Sequence, residues 1–452
     1  MTDRLPVGPY RTISAGGLEV PFYVVPFDKR GRCTGPQTRQ HLIDTVASAE
    51  PDAGFTHLFL FSHGWNNDWT VATRRYEDFI RGFMDLRDRM GLPMPPRYRP
   101  LLVGLFWPST ALVWGEDEEG PAIAAGDPAR QMDEAVAAER WMVDTIAEEL
   151  SGEVVDRFYE LVQSKSLSAA EAGELAEIVA PLVRSGEAEQ QIAPPDPAAI
   201  LASWRAVAAA EEPAGGENDE DYGVVGAAPS GPQAAGWLDF LDPRPLVRSF
   251  TVWTMKDRAG TVGARGVGPL LRELLEKSAA HVHLIGHSFG AKVVLSALCA
   301  GGDLRRKVES ALLLQPAVSH LCFTDQVPGG DGPGGYHQAP ERLVQPILST
   351  FSARDVPLTK AFHVALRRGR DLGEAQIAAP GEPPSRYAAL GGFGPRRSGE
   401  QLVDILDPGD SYELHQLPPI VGVRGDRTIG GHGKVSNEST WWALHNQVTA
   451  TA

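Results

Sequence analysis

Short apolar runs alternate with amphipathic stretches in two parts of the chain, before residue 115 and after residue 248. The apolar runs predict strands, because a strand that is buried on both faces of a sheet needs no polar alternation. These runs lie at 18–27, 55–62, 101–107, 282–285, 308–314 and 343–351, and the stretch 411–417, which contains His415, is interpreted as one more strand. Apolar side chains at helical spacing predict helices at 76–84, 267–278, 293–298 and 438–448.

Repeated strand–helix units with apolar strands predict an α/β fold with a doubly wound, mostly parallel sheet covered by helices on both faces. In such sheets, ligands and catalytic groups collect beyond the carboxyl ends of the strands. The first part of this core is expected at 1–114 and the second part at 249–452.

The alternation stops between residues 115 and 248, which we interpret as a helical insertion. Helical patterning is present at 131–150, 153–165, 168–184 and 196–210. Ser168 and Glu171 have the spacing of a capping box at the start of one of these helices. The acidic stretch 211–221, set among Gly, Ala and Pro, predicts a solvated and flexible loop.

One motif suggests catalysis: Gly286-His287-Ser288-Phe289-Gly290 follows a predicted strand and precedes a helix. A serine at such a corner has a strained backbone, and glycines two residues to either side remove Cβ atoms that would collide. The corner is expected to expose the hydroxyl of Ser288 and to point the N–H of Phe289 toward a developing oxyanion. The alternative is a glycine-rich turn with an incidental serine.

A serine hydroxyl needs a base that removes its proton and a carboxylate that orients the base. Asp355 comes shortly after the predicted strand 343–351, and His432 lies in a glycine-rich loop before the last helix. The order serine, acid, histidine is the one expected for this class of fold. The alternative for Asp355 is a turn residue or a surface ion pair with Arg354. The competing residues are Asp325, Asp404, Asp407, Asp410, His415 and His445.

A second turn follows the strand at 55–62, where His63 and Gly64 precede Trp65 and Asn66. Glycine permits a sharp turn there, so that the N–H of Trp65, with Asn66 as a further candidate, is expected to be the second oxyanion donor beside Phe289. An ordinary turn is the alternative.

These motifs together resemble the α/β-hydrolase superfamily over residues 15–114 and 249–452. The sequence His-Gly-Trp-Asn at 63–66 resembles that of an uncharacterised bacterial branch of the superfamily. The resemblance implies an eight-stranded type of sheet, a Ser288-His432-Asp355 triad, an acyl-enzyme intermediate, and backbone oxyanion donors at Phe289 and Trp65. The insertion corresponds to the family's lid, but it is longer than a simple lid and has an acidic loop, so the substrate class does not carry over.

The composition limits which partners, metals and cellular locations are expected. The net charge of −16 argues against nucleic acid or an anionic membrane surface as a partner. The three cysteines are widely spaced and predict neither a disulfide framework nor a zinc site. His281 and His283 alternate along a strand without a third ligand, so no metal or cofactor is expected. No apolar segment suits export or a membrane span, which favours the cytoplasm.

The residues therefore predict a metal-independent serine hydrolase that cleaves a carboxylic ester of a small-molecule or lipid-like acyl substrate. Two alternatives stay open. One is cleavage of an amide or peptide bond, or acyl transfer, by the same triad; the other is a non-catalytic protein that binds a ligand or a partner through the insertion. No feature of the sequence predicts an oligomeric state.

Overall fold

The structure is a computed structural model, and its described residues are 6–47, 54–65, 67–109, 142–182, 196–198, 200–201, 204, 240–329, 332–361, 383–385 and 387–450. These residues form one nine-stranded sheet and a separate two-stranded one. The strands are β1 Arg11–Ala15, β2 Leu18–Pro26, β3 His57–Ser62, β4 Pro100–Phe106, β5 Leu167–Ser168, β6 Phe240–Leu241, β7 His281–His287, β8 Ser310–Leu314, β9 Ile347–Phe351, β10 Gln401–Asp404 and β11 Ile420–Arg424.

The large sheet has the order β1-β2-β4-β3-β7-β8-β9-β11-β10, and β5 pairs with β6. Within the large sheet, β1 and β2 are antiparallel, and each of the other neighbouring pairs is parallel. The sheet has one strand more than the eight that the family resemblance implied. The architecture is a mixed α/β one with a mostly parallel sheet.

Helices cover both faces of the sheet. They are α1 Pro36–Ala47, α2 Trp69–Met90, α3 Gly152–Gln163, α4 Ala169–Val179, α5 Arg244–Val262, α6 Gly268–Lys277, α7 Phe289–Cys299, α8 Leu390–Phe393 and α9 Glu438–Thr449, and a π-helical turn, Gly263–Val267, joins α5 to α6. Alternate side chains of β3 enter different cores, as strand geometry requires. Leu58 and Leu60 pack in the core that contains α1, α5, α6 and α7, whereas Phe59 and Phe61 pack with α2 and α9.

The strand order reverses between β3 and β7, which are neighbours in the sheet. The chain leaves β3 through α2 on one face and reaches β4 on one side. It leaves β7 through α7 on the other face and reaches β8 on the opposite side. Such a reversal leaves a crevice beyond the carboxyl ends of the two strands. Ser288 follows the end of β7 directly, and Gly64 lies two residues beyond the end of β3.

One predicted strand is wrong. Residues 411–417 contain a 3₁₀ turn, Leu414–Gln416, in which His415 is exposed. Tyr412 and Leu414 are buried and their neighbours are exposed, so the alternation typical of a strand is present, but Glu413 has φ 46 and the segment pairs with no described strand. Strands β10 and β11, on either side of this segment, were not predicted.

The described part of the insertion is mainly helical. The capping box at Ser168 and Glu171 is present at the start of α4. Met142, Phe158 and Trp204 are buried in the same core as one face of the sheet. Residues 110–141, 183–195 and 205–239, which include the acidic stretch 211–221, lie outside the described residues. Within the ranges described, no helix is both long and apolar enough to cross a membrane.

Candidate active site

Ser288 lies at the corner between β7 and α7, with φ 55 and ψ −125. This conformation is unusual for a residue with a Cβ and costs on the order of 1–3 kcal/mol. The end of β8 holds the corner: the N–H of Ser288 donates to the carbonyl of Leu314 at 3.0 Å, and its carbonyl accepts from the N–H of Ala317 at 3.2 Å. The strained backbone expected for a serine at this corner is therefore present.

The hydroxyl of Ser288 is covered, contrary to the expectation that the corner exposes it. The residue is 1% exposed, and its Oγ makes no hydrogen bond to a described residue. The loop after β3 packs against the corner, since a Cβ built on Gly64 would lie 2.7 Å from the Cβ of Ser288. A buried hydroxyl without a hydrogen bond is costly, and such groups are common where a substrate completes the bonding.

Three glycines permit the close approach of the strand ends. A Cβ on Gly286 would lie 2.6 Å from the Cα of Ala291, and one on Gly290 would collide with the carbonyl oxygens of Ser62 and His63. Gly64 contacts Ser288 as described. The first turn of α7 thus rests directly on the end of β3, which no side chain larger than hydrogen would allow.

Asp355 and His432 form a hydrogen-bonded pair that is almost wholly buried. Nδ1 of His432 lies 2.8 Å from Oδ2 of Asp355, and the side chains are 2% and 0% exposed. A carboxylate only accepts hydrogen bonds, so Nδ1 of His432 carries a proton and donates it to Asp355; in the neutral tautomer that has this bond, Nε2 is the nitrogen with the free lone pair. Oδ1 of Asp355 accepts from the N–H of Leu358 at 3.0 Å.

His287, the residue before Ser288, connects the pair to the corner. Its Nε2 donates to the carbonyl oxygen of His432 at 3.0 Å, and the two rings lie 5.1 Å apart. The loop that carries His432 is thereby anchored beside Ser288. Because Ser288 Oγ makes no hydrogen bond to a described residue, the bond from Ser288 to His432 is not formed in this structure.

Trp65 and Phe289, whose N–H groups were expected to bind an oxyanion, are neighbours. Their rings lie 6.4 Å apart. Phe289 is the first residue of α7, so its N–H is at the positive end of the helix dipole. Asn66, the further candidate, lies outside the described residues.

His63 has a supporting role that the sequence did not reveal. Its Nδ1 donates to the carbonyl of Gly64 at 2.8 Å, and its Nε2 accepts from the N–H of Trp107 at 3.2 Å. The ring also stacks on Trp107. Burial lowers the pKa of His63 to about 3, which keeps the ring neutral and able to accept that hydrogen bond.

Gln315 is a further residue that the sequence did not single out. It follows β8 directly, is fully buried, and donates from Nε2 to Oδ2 of Asp355 at 2.8 Å. Nothing in the sequence distinguishes this glutamine from any other glutamine after a strand, because its partner lies 40 positions away.

The competing residues lie elsewhere. Asp404, Asp407 and Asp410 are exposed, and the first two pair with Arg424 and Arg427. Asp325 and His415 are also exposed. His445 is in α9, where its ring stacks on that of Trp442.

His281 and His283 of β7 have hydrogen-bond partners within the fold. Nδ1 of His281 lies 2.7 Å from Oε2 of Glu309, and Nδ1 of His283 lies 2.8 Å from Oγ of Ser310. Burial lowers the pKa of His283 well below its usual value. In the part of the chain that the structure describes, no group of three or more His, Cys, Asp or Glu side chains is arranged to hold a metal ion.

Comparison of the chain with protein-family models, with curated proteins and with solved structures finds no match. The geometry of the chain's own residues is therefore the basis for inferring a function.

Proposed function

We propose that the protein is a serine hydrolase of the α/β-hydrolase type that cleaves a carboxylic ester. The observation that carries the proposal is the meeting of two features at one edge of the sheet. The first is a serine with a strained backbone and a buried hydroxyl at the end of β7. The second is a buried Asp355-His432 pair whose loop is hydrogen-bonded to the residue before that serine.

In the proposed reaction, Oγ of Ser288 attacks the acyl carbon while Nε2 of His432 takes its proton. The carbon–oxygen double bond becomes an oxyanion, which accepts hydrogen bonds from the N–H groups of Phe289 and Trp65. The intermediate collapses to an acyl-enzyme as the imidazolium of His432 protonates the departing alcohol. Water, deprotonated by His432, then releases the acid and restores Ser288.

Asp355 has two tasks in this scheme. Its Oδ2 keeps the proton of His432 on Nδ1, so that Nε2 is the base, and its negative charge stabilises the imidazolium. Both tasks gain from burial, because charges interact more strongly where water is excluded. The Ser288-His432 hydrogen bond is expected to form when substrate binds, since catalytic hydrogen bonds are often long in free enzymes.

The apolar surroundings favour an apolar acyl group. Trp65 and Phe289 belong to the same buried cluster as Met142 and Ile146 of the insertion. We propose that the insertion is the lid of the site and that it contributes to binding the acyl chain. This arrangement agrees with a small-molecule or lipid-like ester as substrate.

The decisive experiment is labelling with a fluorophosphonate, which reacts with serines that a neighbouring base activates. The wild-type protein is expected to gain one phosphonyl group, located at Ser288 by peptide mass spectrometry. Ser288→Ala should remove the label, and Ser411→Ala, which removes an exposed hydroxyl, should retain it. A folded wild-type protein that stays unlabelled would refute the proposal.

A second experiment is needed to identify the type of bond that the protein cleaves. The same triad serves esters, amides and acyl transfer, so the triad itself does not select among them. Matched aryl esters and aryl anilides of increasing chain length should show turnover of the esters and little of the anilides. Preferential turnover of the anilides, with Ser288→Ala inactive, would assign the protein to the amidases instead.

A further inference from the structure

We propose that Gln315 is a positioning residue that holds the carboxylate of Asp355 in the plane of His432. The inference rests on the proposed function, because positioning of Asp355 matters only if His432 acts as a base. Oδ2 of Asp355 accepts from Nε2 of Gln315 and from Nδ1 of His432, both at 2.8 Å. Gln315 therefore touches the atom that orients the imidazole and does not touch the imidazole itself.

The orientation of the Gln315 amide is determined by its partners. Nε2 also donates to the carbonyl of Gly391 at 3.0 Å, and Oε1 accepts from Oγ1 of Thr350 at 3.0 Å. A carboxylate and a carbonyl both require a donor, so the amide cannot be reversed without placing its oxygen against two acceptors. Every hydrogen of Nε2 is thus used, one of them on Asp355.

The backbone of Gln315 has a conformation that costs free energy, and this conformation places the side chain. Its φ is 46, a left-handed conformation that disfavours residues with a Cβ. The N–H of Gln315 donates to Oγ1 of Thr350 at 2.9 Å, the same oxygen that donates to its Oε1. Both the backbone and the side chain of Gln315 are therefore bonded to Oγ1 of Thr350, and these two bonds fix the position from which Nε2 reaches Asp355.

Removal of this donor has a specific consequence. Asp355 is fully buried, so bulk water is not at hand to replace a lost hydrogen bond. Its carboxylate would be held only by the bonds to Leu358 and His432, one on each oxygen, and would be less restrained against rotation about the bond between Cβ and Cγ. A carboxylate that turns away from Nδ1 of His432 no longer fixes the proton on that nitrogen, which weakens its control of the tautomer.

The test compares Gln315→Met with Gln345→Met. Gln345 is a matched control, because it is also buried and donates to a carboxylate oxygen, of Glu309, and to a carbonyl oxygen, of Gln447. It precedes β9, whereas Asp355 lies beyond the other end of that strand. Gln315→Met is expected to slow fluorophosphonate labelling of Ser288 by about 10- to 100-fold, the effect of one hydrogen bond to a charged group. Gln345→Met should leave the rate within about twofold.

A second variant supplies a readout that a merely structural role would not give. In Gln315→Glu, two buried carboxyl groups would share one proton, because both cannot be charged at hydrogen-bond distance. The shared proton would restore the bond to Asp355, so labelling should be faster than in Gln315→Met. It should also fall at alkaline pH where the proton is lost, a limb that wild type and Gln315→Met lack. If Gln315→Met does not fold, the alkaline loss of labelling in Gln315→Glu tests the positioning role by itself.

Proton NMR separates failure of this inference from failure of the proposed function. The proton between Nδ1 of His432 and Asp355 should give a resonance far downfield of the amides, which His432→Gln removes. Gln315→Met should shift or broaden this resonance even if Ser288 proves unreactive in wild type, a result that would refute only the hydrolase. An unchanged resonance and labelling at the wild-type rate in Gln315→Met would overturn the positioning role.

Discussion

Nδ1 of His432 and Oδ2 of Asp355 lie 2.8 Å apart, although 77 residues separate them in the chain. Each residue follows a strand, Asp355 after β9 and His432 after β11, and these strands are neighbours in the sheet. Because neighbouring parallel strands end at the same edge, two loops that are remote in sequence come together there. The pair is thus a consequence of strand order.

Asp355→Asn is expected to lower labelling of Ser288, and any esterase activity, by about 10³- to 10⁴-fold. An amide of the same shape must place its NH₂ group either against Nδ1 of His432 and Nε2 of Gln315 or against the N–H of Leu358. In both orientations the negative charge that stabilises the imidazolium of His432 is lost. The second-order rate constant for labelling, compared with that of wild type, measures the effect.

Asp407→Asn is the matched control for this substitution. Asp407 is exposed and pairs with Arg427, so the same chemical change should leave the labelling rate unaltered. Equal loss in both variants would show that the rate reports overall folding and not the orientation of His432.

Gly64→Ala tests the contact between the two strand ends. The new Cβ would lie 2.7 Å from the Cβ of Ser288, so the loop after β3 must move away from the corner. We expect the free energy of unfolding to fall by about 1–3 kcal/mol, as for other overpacked sites. Labelling should fall at least about tenfold, because Trp65 moves with the loop. Urea unfolding and labelling measure the two effects separately.

Gly173→Ala is the corresponding control. Gly173 lies in the middle of α4, and a Cβ there would meet no atom within 4 Å. The substitution should raise the free energy of unfolding by about 0.5–1 kcal/mol, since alanine is the better helix former. If Gly64→Ala behaved in the same way, the close contact at Ser288 would have no energetic significance.

Much of the fold could be predicted because the central strands are apolar on both faces. The run that became β3 is buried throughout, so its pattern needs no partner to be recognised. The strand predicted around His415 is wrong for the opposite reason. Two buried side chains, Tyr412 and Leu414, produce the alternation of a strand in a segment that turns back at Glu413.

Some residues of the candidate site could be predicted from the sequence, and others could not. Ser288 could be proposed from local sequence, because the corner needs glycines at fixed spacing. The burial of its hydroxyl could not be predicted, because Gly64 reaches Ser288 only through the packing of two strands. Gln315 and His63 were not found because their partners, Asp355 and Trp107, are 40 and 44 residues away. Such hydrogen bonds between remote residues leave no periodic signal.

Tyr76→Phe should destabilise the turn after β3. The hydroxyl of Tyr76 accepts from the N–H of His63 at 3.0 Å and donates to the carbonyl of Leu105 at 2.9 Å, and all three residues are buried. Its loss leaves a buried N–H without an acceptor, at a cost of about 1–3 kcal/mol. The free energy of unfolding in urea measures this cost.

Tyr10→Phe is a suitable comparison for that experiment. The hydroxyl of Tyr10 accepts from Arg11, which is exposed, and at 3.4 Å from the indole N–H of Trp69, which is only half-buried, so water can take its place. A change of less than about 0.5 kcal/mol is expected. If the two variants lost the same stability, the bridge between His63 and Leu105 would contribute nothing of its own.

His63 should make the stability of the protein depend on pH. Burial lowers its pKa from an ordinary 6.5 to about 3, so between these values the unfolded chain binds a proton that the folded chain does not. Stability from this residue is therefore complete above pH 6.5 and is lost as the pH falls toward 3. From pH 7 to pH 5 the loss amounts to about 2 kcal/mol.

His63→Gln isolates this contribution, because glutamine has polar groups at similar positions and does not titrate. The variant should be less stable than wild type at pH 7, since its side chain cannot stack on Trp107 as the imidazole does. Its stability should nevertheless fall by about 2 kcal/mol less between pH 7 and pH 5, as measured by urea unfolding at both values. His415→Gln, at an exposed position, should lose as much as wild type over the same interval. An equal loss in His63→Gln would mean that His63 takes up its proton in the folded state, and that its Nε2 then no longer accepts the hydrogen bond from Trp107.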